Sequence, residues 1–228
     1  MSSLVKALST SIGRKYVMAV TGLFWTGFLV SHLAANLLML LDDGGEAFNR
    51  YANALAALGK FLYLAEALLA VTLIVHIYNA VHVTLEKRAA RVRRYQVTAS
   101  AGGASRKTLA SMSMIYTGLI LGIFIPIHIW MFKFGAYYEI TYGEDTMRDL
   151  KRVVVEAFED PLKVGVYCVV MVLFGLHLRH AVWSAFQSLG LNNAKWLPII
   201  EKSGFALAIA LAAGFFVIPV GIFLGVGL

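Results

Sequence analysis

The sequence predicts an all-α integral membrane protein, a single transmembrane domain over residues 1–228 with five membrane-crossing helices. Three observations predict it. First, 59% of the residues are hydrophobic and 14% charged, with a mean hydropathy of +0.73; an ordinary soluble domain carries about 25% charge and about 45–50% apolar residues. Second, five apolar runs fall at about 16–41, 60–85, 109–134, 161–186 and 203–227. A helix crosses the hydrocarbon with about 20 residues, so each run is long enough. Third, charge is sorted onto alternate sides. The connections 1–15, 86–108 and 187–202, with Arg179, hold thirteen Lys and Arg against Glu86 and Glu201, whereas the other side holds seven against ten acids.

Basic residues beside membrane spans stay in the cytoplasm. The first span is therefore expected to start inside, and the Arg-rich 86–108 connection to return there. Five crossings leave the C-terminus outside. The expected location is the inner (cytoplasmic) membrane of the cell. The net charge of +7 is then topological, and a nucleic-acid partner is excluded because nothing resembles a recognition helix or a base-reading patch. The first span does not read as a cleavable signal, since its apolar run is too long and no A-x-A-like site follows. The second and fourth spans run from outside to inside, opposite to the first and third. No internal repeat stands out, and ASAGGAS at 99–105 is the one low-complexity stretch. The segment EDTMRDLKRVVVEAFED has apolar residues at helical spacing, which predicts an amphipathic surface helix over about 144–159 on the outer side. Cys168 is the only cysteine, so the chain has no cysteine-rich zinc site or iron–sulfur ligation of its own.

The chemistry is expected at the histidines. All six, His32, His76, His82, His128, His177 and His180, fall inside the apolar runs, where an ionisable group is costly and needs a partner or a purpose. His32 and His128 lie past the midpoints of outward-running spans, so both fall in the outer half. His76 and His177 lie past the midpoints of inward-running spans, so both fall in the inner half. At about 1.5 Å per residue the two levels are roughly 10–15 Å apart. Two imidazoles facing each other across a bundle can hold a haem iron from both sides. The first four helices are thus expected to form a haem-binding bundle, with His32 and His128 on an outer iron and His76 and His177 on an inner one. Small residues nearby, among them Gly22, Gly27, Ser31, Gly118, Gly122 and Gly175, either let a flat macrocycle approach or serve helix packing. Pro126 either helps to aim His128 or simply kinks its helix. His82, and His180 with Arg179 beside it, either bind haem propionates, line a docking face or snorkel at the interface. Glu66 either exchanges protons with a quinone headgroup near the outer haem or forms a salt bridge without a redox role.

Four stretches carry a family resemblance: residues 11–40 (SIGRKYVMAVTGLFWTGFLVSHLAANLLML), HIYNAVHVTLEKRAAR from His76, IPIHIWMFKF around His128 and FGLHLRHAVWSAFQSLGLNNAKWLPII from Phe174. Together they resemble the five-helix, di-haem cytochrome b anchor of succinate:quinone oxidoreductases, in the single-anchor form used with menaquinone. The resemblance covers nearly the whole chain. It implies two haem b groups ligated by His32 with His128 and by His76 with His177. The H-I-x-x-A pattern favours His76 over His82, and the H-L-R-H segment leaves His180 outside the ligand set. It implies menaquinone as the quinone that exchanges electrons with the haems, taking them in succinate oxidation or, in its reduced form, giving them in fumarate reduction, with Glu66 placed like a glutamate some relatives carry near the outer haem. Partners implied are a flavoprotein subunit and an iron–sulfur subunit docked on the basic cytoplasmic side, with higher oligomers of the complex an open question. The chain departs from relatives that place an acid close before the fourth ligand, since Phe174, Gly175 and Leu176 stand there. It has no dinucleotide fingerprint, so any succinate oxidation belongs to the flavoprotein. Two other readings remain: the cytochrome b of another quinone-linked dehydrogenase, such as a hydrogenase or formate dehydrogenase, and a haem-free transporter using the histidines and Glu66 as a proton relay.

Overall fold

The computed structural model describes residues 3–90, 108–191 and 193–227. Most of the Arg-rich inner connection, including the low-complexity stretch 99–105, lies outside them. The described chain is helical apart from one short hairpin. A turn of helix, α1 (Ser3–Leu8), leads into α2 (Ser11–Leu37), which a 3-10 turn extends to Leu40. There follow α3 (Glu46–Ala56), α4 (Lys60–Ala89), α5 (Leu109–Phe132), the strands β1 (Glu139–Tyr142) and β2 (Asp145–Arg148), α6 (Leu150–Phe158), α7 (Pro161–Ser188) and α8 (Leu197–Phe223). Helices α2, α4, α5, α7 and α8 are each long and apolar enough to cross a membrane.

Local chemistry sets the boundaries. Thr10 caps α2 by accepting from the Gly13 amide at 3.0 Å. Thr108 and Ser111 cap α5 reciprocally, satisfying two of the amides that open every helix without an internal partner. Asp160 caps α7, and Pro161 opens it at a position where the missing N–H costs nothing. Pro126 lies inside α5, which runs on to Phe132.

Helices α2, α4, α5 and α7 close into a ring: α4 and α7 flank α2, α7 packs on α5, and a lighter contact joins α4 to α5. Helix α8 lies outside the ring against α7 and α2. The largest apolar core runs along α7 and α8, where Met171, Phe174, Leu178 and Val182 meet Ala208, Leu211, Ile218 and Ile222. At one end of the bundle α3, the hairpin and α6 pack together and against the end of α8. This capped end matches the side expected to be outer; the opposite end matches the basic side.

One sequence expectation is corrected at the cap. The segment 144–159 is not one helix: its first residues belong to the hairpin, and only Leu150–Phe158 is helical. The turn explains this. Tyr142 pairs with Asp145, and Gly143, at φ +66°, takes the first of two loop positions, where glycine suits a two-residue hairpin. Asp149 then starts the helix by accepting from the Arg152 amide at 3.1 Å. The polar 42–59 connection contains the three-turn helix α3. A fully buried amide joins the pieces of the cap. Asn49 of α3 donates to Asp149 Oδ1 at 2.9 Å and to Tyr142 Oη at 3.1 Å, and accepts from the Lys151 amide at 3.0 Å.

Candidate functional site

The ring order places α2 diagonal to α5, and α4 diagonal to α7. Each of these helices carries one of the four expected ligand histidines, and the structure brings those of α2 and α5 into ring contact. Toward the capped end the imidazoles of His32 and His128 face each other with ring centroids 5.9 Å apart and planes at 88°. Phe28 stacks on His32 at 5.2 Å and Phe124 on His128 at 5.7 Å, each one turn before its histidine.

Nearer the basic end, His76 of α4 reaches α2, its Nδ1 3.1 Å from Thr21 Oγ1. His177 of α7 reaches α5 in the same way, its Nδ1 3.2 Å from Thr117 Oγ1. A Cβ added at Gly22 would stand 3.3 Å from His76 Cε1, and one at Gly118 would stand 3.2 Å from His177 Cε1. These glycines are seats for the imidazoles. Gly175 instead faces Ala212 of α8 and serves helix packing, and Gly27 has nothing within 4 Å. Since Thr21 precedes His32 by eleven residues and Thr117 precedes His128 by eleven, the two levels are roughly 16 Å apart along the helices.

The equivalence of the two contacts reflects a repeat that the sequence reading missed. Residues 18–32 and 114–128 share M-x-x-T-G-L-x4-F-x3-H, and residues 76–81 and 177–182 share H-[I/L]-x-x-A-V. The motif was present in the sequence; its sparse spacing, interrupted by interchangeable apolar residues, concealed it. Helix pairs α2/α4 and α5/α7 are thus two like halves. Thr21, Thr117, Phe28, Phe124 and Tyr167 were not singled out from the sequence. Tyr167 Oη lies 3.2 Å from His128 Nδ1, and Asn36 Nδ2 lies 3.3 Å from His32 Nδ1.

His76, His128 and His177 present Nδ1 to a hydroxyl oxygen, which leaves Nε2 as the nitrogen available to a metal, the arrangement expected of imidazole ligands; His32 Nδ1 instead meets the amide nitrogen of Asn36. Two imidazoles bonded to one iron from opposite sides, at roughly 2 Å each, have centroids roughly 6 Å apart, close to the His32–His128 separation. Among the described residues no group of three or more His, Cys, Asp or Glu is placed to hold a bare metal ion. A pair of imidazoles is the donor set that a metal bringing its remaining ligands with it, such as a porphyrin iron, would take.

The other candidate residues lie apart from these pairs. His82 packs on Tyr78 at 4.4 Å and His180 on Trp183 at 6.0 Å. Arg179 is exposed, its guanidinium 4.8 Å above the Phe205 ring of α8. Ser31 gives its hydroxyl hydrogen to the Phe28 carbonyl at 2.8 Å and lines a lateral apolar groove with Gly27, Phe28, Ala65 and Leu68. Glu66 is ion-paired with Lys133, whose ammonium also sits 5.8 Å from the Tyr63 ring centroid. This pair ties α4 to the end of α5 across the lightly packed side of the ring.

Comparison of the chain with family models, with curated proteins and with solved structures gave no match.

Proposed function

We propose that this chain is a di-haem cytochrome b, the membrane anchor and electron-transfer subunit of a succinate:quinone oxidoreductase that works with menaquinone. The observation that carries the reading is the placement of four histidines, one per helix, on the two diagonals of a four-helix ring at two levels. A haem iron held between two imidazoles exchanges single electrons and has no open position for oxygen or substrate. In this reading Nε2 of His76 and His177 hold the group nearer the basic end, and those of His32 and His128 the group nearer the cap. Phe28 and Phe124 keep the capped-end rings stacked and dry.

The basic end, with Lys15, Lys87 and Arg88, receives the flavoprotein and iron–sulfur partners by charge attraction. A buttress already stands there: Arg14 of α2 donates to Glu86 of α4 at 2.7 Å. Reduction of a quinone takes up two electrons and two protons. Glu66, partly exposed and ion-paired with Lys133, is the carboxylate that exchanges those protons. The resemblance of the four histidine-bearing stretches supports the succinate-linked enzyme over another quinone-linked dehydrogenase.

The test is a reduced-minus-oxidised spectrum of the purified full chain with haem quantified per polypeptide. Two b-type haems are expected, and a colourless chain from haem-replete cells overturns the reading. Affinity capture from native membranes should bring down a flavoprotein and an iron–sulfur protein with succinate dehydrogenase activity. Capture of hydrogenase or formate dehydrogenase subunits in their place would reassign the chain to that enzyme.

A further inference from the structure

The two threonines at the basic-end level do the same job in both halves, and their own hydrogen bonds define it. Thr21 Oγ1 lies 2.7 Å from the Val17 carbonyl and 3.2 Å from that of Met18. Thr117 Oγ1 lies 3.1 Å from the Ser113 carbonyl and 3.2 Å from that of Met114. A hydroxyl has one hydrogen and two lone pairs. With the hydrogen engaged on the helix backbone, each threonine can meet an imidazole only as an acceptor. Nδ1 of both rings therefore faces an acceptor. A neutral imidazole protonated at Nδ1 carries its lone pair at Nε2.

The capped-end pair has no such matched device. His128 meets a tyrosine hydroxyl, and His32 meets an amide nitrogen that also donates to the His32 carbonyl at 2.7 Å.

We propose that Thr21 and Thr117 are positioning residues that fix His76 and His177 in the Nδ1–H form, with Nε2 presented for metal bonding, and so set the electron affinity of the basic-end site alone. The inference rests on the di-haem reading. An accepted Nδ1–H bond makes an imidazole a stronger electron donor to a metal. It favours oxidised over reduced iron, and losing it should raise the midpoint potential. The repeat gives independent support, since the same Thr-Gly pair stands against the same ring atoms in both halves.

The experiment is a redox titration, with visible and electron paramagnetic resonance detection, of the haem-containing full chain and its Thr117→Val, Thr21→Val, Thr117→Ser and Thr21→Ser variants. In the valine variants the haem that His76→Ala removes should move to a more positive midpoint and shift its low-spin signal, while the other haem stays put. The serine variants, which keep the acceptor oxygen, should restore both readings. Selective loss of that haem in valine variants, with retention in serine variants, supports the proposal equally. Valine variants with two haems and unchanged midpoints and signals overturn it. So does an equal shift of both haems, which indicates general loosening of the bundle. A wild-type chain without haem overturns the di-haem reading and this inference together.

Discussion

Helix pairs α2/α4 and α5/α7 seat their histidines alike, yet α7 buries eight residues and α4 buries Asn79 alone. The first half is joined by polar contacts between helices. Trp25 Nε1 donates to Thr72 Oγ1 at 3.2 Å, His76 meets Thr21, and Arg14 meets Glu86. The second half is wedged between α8 and the cap. Phe158 of α6 sits edge-on to Tyr167 at 4.9 Å, and Arg148 of β2 donates to the carbonyls of Phe132, Lys133 and Ala136 at 3.0, 3.2 and 2.9 Å. Lipid tails are as apolar as leucine, so a helix in a bilayer gains little by burying apolar side chains. One half can therefore be a thin wall toward lipid while the other is a packed core. Equal seating of the histidines in unequal surroundings indicates that the repeated Thr-Gly contact, rather than bulk packing, sets the ring positions.

The largest expected effect tests whether the halves share each site. Replacing either His76 or His177 by Ala should remove the same haem and leave one per chain, although the two lie in different halves. His32→Ala and His128→Ala should remove the other, as read by pyridine haemochrome content and difference spectra. If losses group by half, with His32 and His76 together, the diagonal pairing is wrong. Next in size is Asn49→Leu, which strips the cap of its buried amide and should cost about 2–4 kcal/mol. Hydrogen exchange should speed up across residues 139–158 and stay unchanged over 60–89, separating the capped half from the other.

A smaller loss, about 1–2 kcal/mol, is expected for Arg148→Gln, because a cation bonded to the final carbonyls of a helix is removed. It should appear as faster exchange at the end of α5. In the first half, Trp25→Phe should cost about 0.6 kcal/mol, the usual worth of a hydrogen bond between helices in a membrane, measured by unfolding in mixed detergent.

Acidification should give the slightest change, confined to the cap. The amides of Ala47 and Gly45 hold the Asp43 carboxyl below its ordinary range. The Arg152 guanidinium and then the Tyr138 hydroxyl do the same for Glu156. A lowered folded-state value means stabilisation present above about pH 4 and lost as pH falls through the folded values. Exchange over the cap should therefore accelerate only below about pH 4. A change centred near neutrality would assign cap stability to other groups.

Much of this was legible in the sequence. Hydrocarbon thickness converts directly into run length, so five spans could be counted, and their ends agree with the helices to within a few residues except that the first helix begins at Ser11 and the last at Leu197. The position of each histidine along its helix followed from helical rise alone. The cap was less legible, because EDTMRDLKRVVVEAFED has helical spacing throughout while its first residues pair with a strand that precedes them. Glu66 left two roles open, and its ion pair with Lys133 depends on how α4 meets α5, sixty-seven residues on.

By itself, then, the sequence determined which segments are apolar enough to cross and where along its helix each imidazole lies, because both follow from distance along one helix. Only the tertiary structure decided which helices are diagonal, which nitrogen of each ring meets the protein, and that Thr21 and Thr117 perform one role twice. Those are relations between helices far apart in the chain, and hydropathy, being nearly the same on every face of these helices, carries no record of which face meets which.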